Sequence, residues 1–161
     1  MFTERGYRAP LCAIAREAGV GQGVLYRHFP TRLDLAFAAF EERFVELEAI
    51  AAEPDAEAFG RLWSRLVELT VVESAFIEMI VDARRTLPEQ DLDGRVRRLV
   101  EATMPMAQAA GAVRADLSTS DLLLIIRMVY GVVVLTIDPE SVADAVRHSL
   151  ALVAIEPRRA D

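Results

Sequence analysis

The sequence predicts an all-α chain, a helix-turn-helix head followed by a helical bundle, and three observations carry that expectation. No Asn-Gly or Asp-Gly dipeptide separates two alternating runs, and β-branched residues cluster only inside longer apolar stretches. Apolar residues instead recur at spacings of three and four along most of the chain. Pro, Gly and Ser/Thr/Asp signals fall where such stretches stop and start. With 161 residues, 53% of them hydrophobic, the chain has ample material for a packed core.

Taken in order, Pro10 fits the first turn of a helix that carries Leu11, Ile14, Ala15 and Ala18 inward. Gly19 permits the positive backbone angle of a tight turn, and Val20 is expected to plug the corner. A second short helix follows, with Val24, Leu25 and Phe29 expected on its buried side. Thr31 with Asp34 three residues on supplies a capping start for a long amphipathic helix, whose apolar positions are Leu33, Phe37, Phe40, Phe44, Leu47 and Ala51. Glu53-Pro54-Asp55 ends it, and Asp55 caps the next stretch through Leu62, Leu66, Leu69, Phe76, Ile80 and Ala83, with a break near Glu73-Ser74 and an end at Pro88. A further helix runs from about Asp93 to Ala110 and stops at Gly111, with Pro105 expected to kink or break it. Ser118 and Asp121 cap the apolar run to Ile137. Asp138-Pro139 reads as N-cap and first-turn proline of a last helix reaching about Ile155.

Charge is distributed unevenly. The formal net charge is -7, yet residues 1–32 hold Arg5, Arg8, Arg16, Arg27 and Arg32 against Glu4 and Glu17, a local +3, leaving -10 on residues 33–161. A small basic head on an acidic body is compatible with phosphate binding at the head alone. Cys12, the only cysteine, forms no internal disulfide, and residues 1–4 lack the basic and apolar segments of a secretory signal, so a reducing, cytoplasmic setting is expected. The run Leu122 to Ile137 contains Arg127 and is shorter than the roughly 20 apolar residues of a membrane span, so no membrane partner is expected.

In the head, small Ala15 at the helix crossing, Gly19 four residues later and Leu25 ten residues later form the spacing of a helix-turn-helix. The second helix leads with Gly21, Gln22 and Gly23, where missing side chains let backbone amides approach phosphates. The Gln22 amide suits an adenine edge, Tyr26, Arg27 and His28 suit phosphates or bases, and Arg32 suits a phosphate. On spacing alone the same segment also reads as a plain glycine-rich corner.

The residues Phe2-Thr3-Glu4-Arg5-Gly6-Tyr7, Ile14-Ala15, Ala18-Gly19-Val20, Gly23 through Arg32 and Leu35 resemble the N-terminal domain of the tetracycline-repressor (TetR) family over about 35 residues. That resemblance implies an all-α homodimer, each head on half of a palindromic double-stranded DNA operator, acting in transcription regulation as a repressor released by a small-molecule effector. It places Gly21, Gln22, Gly23, Tyr26, Arg27, His28 and Arg32 at the family's DNA-contacting positions. Three departures stand out: Pro10 falls where a threonine often opens the first motif helix, Arg32 where lysine is usual, and Val24 where threonine is frequent. The resemblance also sets Phe2 near the end of the family's first helix, so either an upstream extension or a head with a shortened core is expected.

Residues 1–48 therefore read as the DNA-binding head with its connecting helix, and residues 49–161 as a ligand-binding and dimerisation domain. Phe59, Trp63, Phe76, Met79 and Met104 are large or pliable apolar groups suited to a cavity, with Arg84 as a polar anchor. Leu124, Met128, Gly131 and Leu135 recur along one helix and Val142, Val146 and Leu150 along the next, the pattern of a four-helix interface across a twofold axis. Plain core packing explains the same apolar residues. No enzyme is expected: His28 and His148 belong to no metal-binding pattern, Asp91-Leu92-Asp93-Gly94 lacks the rest of a calcium loop, and the glycines of the head follow no strand. No cofactor and no metal are expected. The competing reading is a helical ligand-binding or scaffolding dimer whose head no longer binds DNA.

Overall fold

The computed structural model describes residues 9–86, 92–136, 138 and 141–153, with the side chains of 74, 75, 84–86, 92 and 93 left aside. Among the described residues every regular element is a helix. These are α1 (Leu11–Glu17), α2 (Gln22–His28), α3 (Arg32–Ala51), α4 (Ala58–Val72), α5 (Ser74–Thr86), α6 (Leu92–Ala109), α7 (Thr119–Leu135) and α8 (Val142–Leu152). The expected ends at Pro88 and Ile155, and Pro139, lie outside the described residues. Packing divides the chain into two compact units, one of residues up to Phe44 together with Glu73–Leu92, the other of Val45–Val72 and residues from Asp93 onward.

In the first unit α1 stops because Gly19 adopts φ 68°. The Gly19 amide then donates to the Arg16 carbonyl (3.2 Å) and the Val20 amide to the Ala15 carbonyl (3.0 Å), which satisfies acceptors that the helix end leaves open. Ile14 and Ala15 are buried, and so is Leu25 of α2. Thr31 and Asp34 cap α3 reciprocally: the Thr31 amide donates to Asp34 Oδ2 at 2.9 Å, and the Asp34 amide to Thr31 Oγ1 at 3.1 Å. Leu33, Ala36, Phe40 and Phe44 bury one stripe of α3. Phe76 of α5 packs on that stripe, its ring 5.3 Å from Phe40 in an edge-to-face arrangement and 5.4 Å from Phe44. Beside it the buried carboxylate of Glu73 accepts from Arg43 Nε at 2.8 Å, while its second oxygen meets no hydrogen-bond donor among the described residues.

The second unit contains the break between α3 and α4. The Glu57 amide donates to Asp55 Oδ1 at 2.8 Å, and Arg61 bonds both Glu53 and Asp55. The Arg61 guanidinium holds the Asp55 carboxyl below its usual value. Arg65 grips Glu46 with two parallel bonds of 2.8 and 2.9 Å, and Arg95 reaches Glu48 at 2.7 Å. The core gathers Phe59 from α4, Val100, Met104 and Ala107 from α6, Leu122, Ile125 and Val129 from α7 and Val146 from α8.

Pro105 does not break α6, which runs unbroken through it. Pro105 and Glu101, one turn earlier, both lie on the exposed side, so the carbonyl left without an amide donor does not sit in the core. Gly111 ends the segment with φ 74°. Ser118 and Asp121 then form a full capping box for α7, and Ser118 hydrogen bonds hold the Asp121 carboxyl below its usual value. The last helix starts at Val142 with Ser141, not Asp138, as its N-cap. Asp138 instead accepts from the Ser141 hydroxyl at 2.5 Å and, through its carbonyl, from the Ser141 amide at 3.1 Å.

Candidate functional site

A seven-residue helix can bury only a narrow face, and on α2 that face is Leu25. At 100° per residue Gly23 and Arg27 point away from it, Gln22 and Tyr26 lie on one flank, and Val24 and His28 on the other. Gly21, Gln22, Gly23, Tyr26, Arg27 and His28 are all exposed. Gly21 is the N-cap of α2 and supplies no side-chain cap. A Cβ at Gly23 would meet nothing within 4 Å, so packing inside the chain does not demand a glycine there. The structure thus brings six of the seven expected head residues together on the exposed surface of one short helix and its N-cap. Arg32 sits apart, half-buried at the start of α3, where its guanidinium donates to the Ala9 carbonyl.

Four orientations differ from the sequence reading. Val24 is exposed and not on the buried side with Leu25, because a helix this short turns it about 100° off the core direction. Phe29 is only half-buried, and Ala18 and Val20 are exposed, so the corner is closed by the backbone bonds of the turn and not by a valine plug. Cys12, on α1, is exposed. Residues Phe2 to Arg8 of the motif lie outside the described residues.

The expected ligand-lining residues divide between the two units. Phe76 belongs to the aromatic cluster of the first unit, and Met79 is buried in the same unit. Phe59, Trp63 and Met104 belong to the second, where the Trp63 ring stacks on Phe59 at 6.2 Å with planes 12° apart. The Arg84 side chain lies outside the described set. Sequence reasoning did not foresee a groove of about 400 Å³ within the second unit, between α4 and α8. Trp63, Val67 and Val71 line it from α4, and Val146 and Leu150 from α8, with Arg147 and Glu68 among its polar lining residues. The signal was there as two short series, stepping by four on each helix, but nothing in the sequence says that the two face each other. Both charges are already engaged, Arg147 with Asp144 at 2.9 Å and Glu68 with Arg65 at 2.9 Å.

On α7, Leu124, Met128, Gly131 and Leu135 fall within an arc of about 60°. Leu124, Met128 and Leu135 are 53%, 47% and 80% exposed, while Leu122, Ile125 and Val129 face the core. On α8 the expected interface residues point elsewhere in part: Val146 is buried in its own unit, and Val142 and Leu150 are half-buried against the same core. Among the described residues no group of three His, Cys, Asp or Glu side chains is placed to hold a metal ion, and no helix is long and apolar enough to cross a membrane.

Comparison with known proteins bears on this arrangement. The family model of bacterial regulatory proteins, tetR family, matches residues 1–39. No curated protein matches the sequence. A TetR transcriptional regulator from Streptomyces coelicolor is similar over 98% of this chain and 93% of its own, with 30% identity and a TM-score of 0.63. A second structure, from work on the molecular basis for control of antibiotic production by bacterial hormones, has the same fold at 21% identity, with a TM-score of 0.63 over 94% of this chain and 88% of its own. With a head matching the family model and 30% identity extending through the body, the chain belongs to the TetR family of bacterial regulatory proteins.

Proposed function

We propose that this chain is a cytoplasmic homodimeric repressor that binds a palindromic operator and leaves it when a small molecule binds its body. The observation that carries the DNA-binding part is the exposed surface of α2, which presents Gln22, Tyr26, Arg27 and His28 together with glycines at 21 and 23. Gln22 reads a base edge, the glycines admit a phosphate close to the backbone, and Arg27 neutralises phosphate charge. Arg32, whose guanidinium holds the Ala9 carbonyl, adds positive charge for the duplex backbone. Residues 1–48 act as the head, and residues 49–161 carry effector and dimer contacts.

For dimerisation the support is the apolar α7 stripe of Leu124, Met128 and Leu135, too exposed for a chain that works alone. For effector binding it is the groove with Trp63 on its wall. An effector lowers operator affinity only by its preference for a conformation with the two heads misaligned. No catalytic step is assigned to any residue.

Electrophoretic shift and fluorescence anisotropy with a duplex selected from a random pool test the reading. Tyr26→Ala and Arg27→Ala are expected to weaken binding about tenfold or more with the dimer mass unchanged. The arginine variant should also reduce the log-log salt slope by about 0.9. Absence of any shifted duplex at low salt would leave the helical scaffold as the function.

A further inference from the structure

Val24 is 46% exposed on α2, although its neighbour Leu25 is buried. Three residues before it, Gly21 has no side chain. A Cβ on Gly21 would lie 3.9 Å from Val24 Cγ2, so glycine there leaves that side of the isopropyl group open. His28 shares its flank one turn on, and Arg27 lies about 60° away, so this apolar knob is set among polar groups on the exposed edge.

We infer that Val24 is a specificity-determining residue whose isopropyl group contacts the 5-methyl group of a thymine in the major groove; the inference rests on the DNA-binding reading above. The thymine methyl is the one apolar feature that base pairs present in that groove. An isopropyl group neither donates nor accepts. Set against a guanine O6 or a cytosine amino group, it displaces water and offers no hydrogen bond in return, which disfavours those bases. Against a methyl it removes apolar surface from water on both sides. The cation of Arg27 supplies the complementary charge for the phosphates that hold α2 in place while this contact is made.

The test uses the full chain and a duplex it selects from a random pool. Each thymine of a half-site is replaced in turn by deoxyuridine, which keeps the pairing and the O4 acceptor and removes only the methyl. At one position the wild type is expected to bind the uracil duplex about fourfold more weakly, the worth of one methyl-sized apolar group. Val24→Ala should fold normally, since the residue is exposed and alanine favours a helix, and at that position it should bind the thymine and uracil duplexes equally. Restoring a methyl as 5-methylcytosine in place of cytosine should help the wild type and not the variant. If the wild type binds its duplex but no uracil changes the affinity, or Val24→Ala loses the same factor, the methyl contact is wrong while DNA binding stands. If no duplex is selected at all, both fall.

Discussion

At Gly23 the surrounding chain would accept a side chain, since a Cβ there meets nothing within 4 Å. Gly23→Ala is therefore expected to raise stability by up to about 1 kcal/mol, because glycine inside a helix costs that much relative to alanine. The same methyl should weaken duplex binding if the backbone approaches a phosphate, so a thermal melt and an anisotropy titration should move in opposite directions. Asp121 makes a second prediction. Its carboxyl titrates below the ordinary 3.8 because Ser118 hydrogen bonds favour the charged form. The folded chain then takes up this proton less readily than the unfolded one, so the stabilisation is complete above about pH 4 and is lost as pH falls through the depressed value. Asp121→Asn should lower the melting temperature at pH 7, and the gap to wild type should narrow below pH 4. Individual orientations were the least legible part of the sequence. Val24 and Cys12 sit on helices of seven residues, where one or two buried positions fix the phase and the 3.6-residue period has too few repeats to reveal it.

Element boundaries were more legible, because they are set by local chemistry. Gly19 and Gly111 took positive φ, Thr31–Asp34 and Ser118–Asp121 formed reciprocal caps, and the Glu53-Pro54-Asp55 break fell where proline requires it. The last helix shows where this stops working. Asp138 and Ser141 both carry capping oxygens, and a local reading cannot choose between overlapping signals; Ser141 precedes the helix while Asp138 binds Ser141. Contacts distant in sequence were invisible, most plainly the link between α3 and α5 through Arg43 and Glu73, 30 residues apart. Glu73 is only 6% exposed, and among the described residues Arg43 is its charge-bearing partner. Arg43→Met should cost about 2 kcal/mol or more in urea unfolding, because it leaves a buried carboxylate without a cation. The double variant with Glu73→Leu should recover part of that loss.

For the molecule as a whole, all-helical architecture and a basic head on an acidic body followed from composition and periodicity. The six expected head residues on α2 and its N-cap came together because one short helix carries them. The expected lining residues did not, since Phe76 and Met79 serve one core and Phe59, Trp63 and Met104 another. Apolar character alone does not say which core a side chain joins. Self-association is where the whole chain makes its prediction. Leu135→Glu, or Met128→Glu on the same stripe, places like charges near each other across a twofold axis and should convert a dimer to monomers in sedimentation. Duplex affinity should fall with it, since one head then holds one half-site. Cys12 adds a practical consequence to such an assembly. As the chain's sole thiol, exposed on the first motif helix, it accepts one nitroxide label per subunit without any engineered residue. On the proposed dimer, pulsed electron paramagnetic resonance would then report a single inter-label separation, a molecular ruler for the spacing of the two heads with and without the proposed effector.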